Sequence, residues 1–136
     1  MASLITRRQA VVAAAALAVV PTAASATNRF SVISISNETQ VNIGLSWRWS
    51  GPDWKHMKLA AGASHWWSHK YDRPNENRSP DFVLKFDSDG RSGSEYNDTR
   101  VLRGNAAPEQ NFDLGHKYAF RYDGPSKRYV KLIDLG

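Results

Sequence analysis

The sequence predicts an all-β protein: a single small antiparallel β-sandwich of about seven or eight strands. The strongest evidence is segment 40–50, where apolar and polar residues alternate with the period of two that is typical of a strand with one buried face. The apolar residues on that face are Val41, Ile43, Leu45, Trp47 and Trp49. No segment after residue 27 has the spacing of an amphipathic helix, and turn-forming residues separate the short apolar segments.

The first half of the domain supplies four expected strands. A run rich in Val, Ile and Phe is followed by the polar turn Asn37-Glu38-Thr39 and then by the alternating segment, so we expect these two strands to pair as a hairpin. The turn residues Gly51-Pro52-Asp53 end the second strand. The four segments are 30–36, 40–50, 55–60 and 65–71.

The second half supplies four more strands. The first of them should point Phe82, Leu84 and Phe86 into the core, and the last two should form a hairpin. Segment 104–115, between the second and third of these strands, is predicted to be a long loop that Phe112 and Leu114 attach to the core. The four segments are 82–87, 96–103, 117–122 and 128–135.

Residues 1–26 have the features of a cleavable signal peptide with a signal helix, ahead of a β-sandwich domain over 27–136. Arg7 and Arg8 form a charged start, 10–20 is apolar, and Ala24-Ser25-Ala26 supplies the small residues that a signal peptidase requires. The apolar run is shorter than the roughly 20 residues that span a bilayer. We therefore expect no stable membrane span after cleavage.

The leader resembles twin-arginine signal peptides. Thr6-Arg7-Arg8-Gln9 matches the first four positions of the S/T-R-R-x pattern of that family, whereas Ala10 and Val11 stand where larger apolar residues are usual. The resemblance covers the leader alone. It implies a bacterial or archaeal protein that folds before export, and we expect a bacterial protein that resides in the periplasm or outside the cell.

Composition excludes several classes of function. The chain has no cysteine, so disulfide bonds, thiol catalysis and Cys-ligated metal sites are impossible. Its net charge is +5, and removal of Arg7 and Arg8 with the leader leaves 16 basic against 13 acidic residues, or +3. This mild positive charge is compatible with an anionic polymer as partner and also with ordinary solubility.

A loose pattern supports the predicted fold. Leu59, Gly62, Ser64 and Trp66 follow an Asn-x-Thr turn, and the string resembles those that join early strands in secreted β-sandwiches such as thaumatin-like proteins. Those proteins carry many disulfide bonds and this chain carries none. The resemblance therefore implies only the fold class, and no functional residue is transferred from it.

Segment 65–71 is the main candidate for a binding site, since it alternates a face with two histidines and a face with a lysine. Burying both imidazoles would require hydrogen-bond partners for each, so we expect the histidine face to point to solvent. Exposed aromatic rings on a sheet suit stacking against sugars. The predicted ligand-binding residues are Trp67, Tyr71, His65, His69 and Trp54. The alternative is that another strand or the 104–115 loop covers this face.

The pattern favours an exported, non-enzymatic binding module for a glycan or a cell-envelope polymer. The alternative is a secreted protein-interaction or inhibitor module that uses its turns or an exposed sheet edge. We expect no catalytic residue, metal, cofactor or nucleic-acid partner. His65 and His69 would lie about 13 Å apart on a strand, too far for one ion to bridge, and no spacing links a serine nucleophile to a histidine base.

Overall fold

The computed structural model describes residues 27–136, and this part of the chain folds as the predicted β-sandwich. The predicted leader lies outside the described residues. No helix within the described range is long and apolar enough to cross a membrane. The strands of residues 27–136 are β1 (Phe30–Asn37), β2 (Ile43–Trp49), β3 (Lys55–Leu59), β4 (Ser64–Lys70), β5 (Phe82–Asp87), β6 (Asn97–Leu102), β7 (Asn105–Ala107), β8 (His116–Asp123) and β9 (Tyr129–Asp134).

The strands form two sheets that pack face to face. Sheet A has the order β4-β1-β8-β9, and β7 pairs with β1 as well. Sheet B has the order β3-β2-β5-β6. Every pair is antiparallel except β1–β8, which is parallel. The short β7 pairs with Phe30–Val32 and β8 with Ile33–Asn37, so both share one side of β1.

The core lies between the two sheets, and the alternating segment faces it as predicted. Ile43 and Leu45 are buried, whereas Val41, Trp47 and Trp49 are partly buried and pack against the core. Burial is therefore unequal along the strand, because the indoles lie near the end of the sandwich. The inward residues of β5 also behave as predicted: Phe82, Leu84 and Phe86 are all fully buried.

The expected β1–β2 hairpin is wrong, since these strands belong to different sheets. The reason is Asn37, which ends β1 and is only 1% exposed. Its Nδ2 donates to the carbonyls of Val41 (2.8 Å), Leu59 (3.0 Å) and Ala60 (3.2 Å). Its Oδ1 accepts from the N–H (3.0 Å) and the hydroxyl (2.6 Å) of Thr39. The chain thus crosses between the sheets around one buried amide.

The 104–115 segment is more ordered than a loop. It contains β7 and a 3-10 helix, Phe112–Leu114, that has no buried residue, so the expectation that Phe112 and Leu114 enter the core is wrong. The helix is held to sheet A through its backbone instead. The Ser34 hydroxyl donates to the Phe112 carbonyl at 2.6 Å, and the Lys117 ammonium donates to the same oxygen at 3.0 Å.

The C-terminal hairpin is confirmed. β8 and β9 pair antiparallel from Tyr118–Asp134 to Asp123–Tyr129. Three alternating aromatic residues of β8 belong to the core or pack against it; they are Tyr118, Phe120 and Tyr122.

Replacing Asn37 should strongly destabilise the fold. We expect Asn37→Ala to lower the free energy of unfolding by about 2–4 kcal/mol, because buried carbonyls lose their donor and Thr39 loses its acceptor. Asn97→Ala is the matched control, since that side chain is exposed and donates only to Glu95 (2.9 Å). Urea denaturation of both variants measures the difference. Equal stability of the two variants would contradict the role of Asn37.

Candidate functional site

The structure reverses the predicted orientation of β4. Trp67 and Tyr71 are each only 6% exposed, so the expectation that they face outward is wrong. His65 and His69 share the inward side: the His65 ring lies 4.7 Å from Trp67, and the His69 ring lies 5.6 Å from Trp49. The predicted aromatic row is therefore part of the interior and its rim. Burial raises the pKa of Tyr71 above its ordinary value.

The reason for this reversal is that burial varies along a strand. β4 is an edge strand of sheet A, and its two ends reach the rim of the sandwich. Trp67 fills the middle, where its ring centroid lies 5.6 Å from Trp47 and 5.5 Å from Phe82. His65 is exposed and His69 half-buried, so both imidazoles contact aromatic rings while they stay near water. The assumed cost of burying two imidazoles does not arise.

Trp54 is the one predicted site residue with an exposed ring on the sheet B side, at 36% exposure. It precedes β3 and lies beside the outer surface of sheet B, which we call the cationic face. This face consists of the side chains that alternate with the core residues of three adjacent strands. Its members are Arg48, Ser46 and Gly44 of β2, His56 and Lys58 of β3, and Val83 and Lys85 of β5.

Two cations flank the Trp54 indole. The guanidinium carbon of Arg48 lies 5.1 Å from the ring centroid, and the Lys85 ammonium lies 5.0 Å from it. Such contacts orient the ring and keep the cations near its surface. Within residues 27–136, no ion pair involves Arg48, Lys58 or Lys85. Their charges are therefore available to a ligand.

The cationic face contains a shallow depression. Its volume is about 560 Å³, and its lining includes Gly44, Lys58, Lys85 and Arg91. A Cβ built on Gly44 would meet no atom within 4 Å, so glycine leaves the floor of the depression open without being required by packing. Asp87 is an acid in this lining, and its Oδ1 already accepts the N–H groups of Asp89 and Tyr96, each at 3.0 Å.

A serine and a histidine meet in the same depression, although no sequence motif links them. Adjacent strands place Ser46 opposite His56, and Ser46 Oγ lies 2.6 Å from His56 Nδ1. Nucleophilic catalysis also needs a group that orients the base. His56 makes no further hydrogen bond to the described residues. The expectation of a non-enzymatic protein stays a prediction.

A second depression, of about 450 Å³, adjoins the first; we call it the tyrosine cleft. Its lining is Asp89, Arg91, Ser94, Glu95, Tyr96, Arg128 and Tyr129. Arg91, Ser94 and Glu95 line both depressions. The cleft forms where the chain after β5 reaches across to sheet A: Asp89 makes an isolated antiparallel bridge with Tyr129.

Close backbone contact fixes this crossing. The Gly90 N–H donates to the Arg128 carbonyl at 2.6 Å, and the Val130 N–H donates to the Ser88 carbonyl at 2.8 Å. A Cβ at position 90 would lie 2.8 Å from the Arg128 oxygen, so only glycine fits without a shift.

Asp89 is buried below the tyrosine cleft and joins its two arginines. Its carboxylate lies 3.4 Å from Arg91 and 3.6 Å from Arg128. The Arg91 backbone N–H, at 3.0 Å, is the main cause that lowers the pKa of Asp89 below its ordinary value, and the two guanidinium groups add to it. The carboxylate is therefore ionised at neutral pH, and it balances part of the local positive charge.

Within residues 27–136, no group of three or more His, Asp or Glu side chains is arranged to hold a metal ion. The sequence prediction missed most of the two surfaces. The alternation of segment 40–50 already placed Arg48 on the outer side, and this signal was available. That Tyr96 and Tyr129 line one cleft had no local signal, since Tyr96 lies in the connection before β6 and Tyr129 lies in β9 of the other sheet.

Trp67 should contribute to the stability of the fold and not to ligand binding at the surface. We expect Trp67→Ala to lower the free energy of unfolding by about 3–5 kcal/mol, because it leaves a cavity in the core. Trp67→Phe should lower the free energy of unfolding by less. The variant keeps an aromatic ring, and it removes a buried Nε1–H donor that has no acceptor among the described residues. The neighbouring Trp66→Ala is the control at 38% exposure and should lose about 1 kcal/mol or less. Thermal unfolding followed by circular dichroism compares the three, and a Trp66 effect as large as that of Trp67→Ala would contradict the orientation.

Asp89 should make stability depend on pH. Since the folded pKa lies below the unfolded value, ionised Asp89 stabilises the fold above the unfolded pKa of about 3.9, and this contribution is lost as pH falls through the folded pKa. Asp89→Asn should therefore be less stable than the parent at pH 7, with a difference that shrinks below about pH 4. Urea denaturation across this range measures it, with exposed Asp72→Asn as control. A difference that is the same at pH 7 and pH 3 would refute the charge effect.

Comparisons with protein-family models, curated proteins and solved structures returned no match to this chain. The function has therefore to be inferred from the chemistry of the cationic face and the tyrosine cleft.

Proposed function

We propose that the protein is a non-enzymatic binding module for an anionic glycan of the cell envelope, which it binds on the cationic face. The observation that carries this proposal is the Trp54 indole between Arg48 and Lys85, at 5.1 Å and 5.0 Å, on an open sheet surface. An aromatic ring offers a stacking surface to a sugar ring, and adjacent cations offer charge to its acidic substituents. One site thus supplies both contacts that an anionic glycan needs.

The shape and charge of the face support a polymer over a small molecule. The depression is open and shallow, and it continues from Gly44 towards Arg91 at the border with the tyrosine cleft. Small-molecule sites are usually enclosed and mainly apolar. A face that carries Lys58, Lys85 and Arg48 without acidic partners also attracts a polyanion before contact, and this attraction weakens as salt rises.

The alternative function, a protein-interaction module, is supported by a different feature. β6 is an edge strand of sheet B, and all its residues except Leu102 are exposed. An open edge can accept a strand from a partner. We place this function second because Asp98 and Arg100 put charge on the edge, and natural sheets use charged residues there to prevent strand pairing.

The cationic face should retain an acidic polysaccharide. We expect polygalacturonate or dextran sulfate to retard the protein in affinity electrophoresis at about 50 mM NaCl, with retardation lost near 0.5 M NaCl. Trp54→Ala and the double variant Arg48→Gln/Lys85→Gln should each weaken binding about tenfold or more. Electrophoresis is preferable to quenching of tryptophan fluorescence, because Trp54→Ala removes the indole whose fluorescence a bound glycan would quench.

The matched controls lie on other surfaces. Trp66→Ala removes an exposed indole of β4, and Lys70→Gln removes an exposed cation of the same strand. Both should bind like the parent, and uncharged dextran should not retard any of the proteins through this face. Retardation that is unaffected by Trp54→Ala and by the double variant, or no retardation by either acidic polysaccharide, would rule out the proposal.

A further inference from the structure

The tyrosine cleft has the composition of a second binding site with different chemistry. Tyr96 is 66% exposed and Tyr129 is 40% exposed, and both line the same depression of about 450 Å³. They come from different parts of the fold: Tyr96 lies in the connection just before β6 of sheet B, and Tyr129 begins β9 of sheet A. Two large exposed rings that converge on one depression leave apolar surface in contact with water, and contact with a ligand would cover it.

Both tyrosines are held through their backbones. The Tyr96 N–H donates to Asp87 Oδ1 at 3.0 Å, and its carbonyl accepts from the N–H and the hydroxyl of Ser88, both at 2.8 Å. Tyr129 is held by its bridge to Asp89. Because these anchors exist without a ligand, binding would order little more than the side chains, so the entropic cost of ordering the backbone is small.

The charges of the cleft are balanced within the protein. Asp89 pairs with Arg91 and with Arg128, and Glu95 contributes a second carboxylate, so that two cations face two anions. The Arg128 guanidinium also packs over the Tyr129 ring, at 4.5 Å from its centroid. Unlike the cationic face, the cleft has no surplus charge to attract an anion. Its polar groups remain hydrogen-bond donors and acceptors.

We propose that the tyrosine cleft binds an uncharged sugar ring of a glycan. The CH face of a pyranose would stack against a tyrosine, while its hydroxyl groups would donate to Glu95 and accept from Arg91 or Ser94. This inference goes beyond the proposed function, because it depends on Tyr96 and Tyr129, which line only the cleft, and on a neutral ligand. Since Arg91, Ser94 and Glu95 line both depressions, one glycan chain can extend from the cleft onto the cationic face.

Neutral oligosaccharides test this site directly. The full-length ¹⁵N-labelled protein is titrated with cellohexaose, chitohexaose and maltohexaose to about 10 mM, a range that detects millimolar Kd values. We expect at least one of them to shift the backbone amides of Ser94, Tyr96 and Tyr129. The Kd should change less than twofold between about 50 mM and 0.5 M NaCl, because no net charge is involved.

Variants separate this site from the cationic face. Tyr96→Ala and Tyr129→Ala should each raise the Kd about 3- to 10-fold, and Tyr96→Phe should restore binding because the ring is retained. Trp54→Ala should leave these shifts unchanged, whether or not acidic polysaccharides bind the cationic face. Dispersed amide signals in each variant verify folding. The proposal fails if none of the three oligosaccharides shifts the cleft amides, or if Tyr96→Ala and Tyr129→Ala both bind like the parent.

Discussion

The buried amide of Asn37 is the interaction on which the architecture depends. It lies where β1 ends, and its side chain joins the connection to β2 with the turn between β3 and β4 through the carbonyls of Val41, Leu59 and Ala60. The backbone of Asn37 adds to this: its N–H donates to the Ala63 carbonyl at 2.8 Å, and its carbonyl accepts from Gly62 at 2.9 Å. One buried side chain thus donates to three carbonyls of which the Leu59 hydrogen bond is fully buried, and loss of a buried hydrogen bond is costly. The corner also commits β1 and β2 to opposite sheets.

This crossing determines which side chains are left for function. With β2 in sheet B, its apolar side packs against β4, where Trp47 meets Trp67 and Trp49 meets His69. Three of the five tryptophans therefore lie in the interior or at its rim: Trp47, Trp49 and Trp67. Trp54 and Trp66 remain exposed, and of these two only Trp54 has cations beside it among residues 27–136. The polar side of β2 becomes the middle of an open surface, since β3 and β5 flank it and no other layer of the described chain covers Arg48 or Ser46.

The two candidate surfaces differ in whether acidic side chains balance their positive charges. On the cationic face, Arg48, Lys58 and Lys85 have no acidic partner in the described chain, so an incoming polyanion meets uncompensated charge. In the tyrosine cleft, Asp89 and Glu95 together balance Arg91 and Arg128, so aromatic contact and directed hydrogen bonds remain. A glycan chain with acidic substituents and neutral rings has the chemistry to use both, and the shared lining makes the surfaces continuous.

The sequence by itself determined eight of the nine strands described, all except β7, because period-two alternation and turn residues are local properties of the chain. Segments 40–50 and 82–87 point their apolar residues inward as expected, and the C-terminal hairpin forms through its local turn. Only the tertiary structure decided the sheet to which each strand belongs and the orientation of β4. The face of Trp67 could not be chosen from alternation, since the choice depended on where along the strand the core ends and where the rim begins. Likewise, the Ser46–His56 and Trp54–Lys85 contacts join separate segments, and so does the depression that Tyr96 and Tyr129 both line. Spacing in the chain carries no information on distances that strand pairing and sheet packing determine.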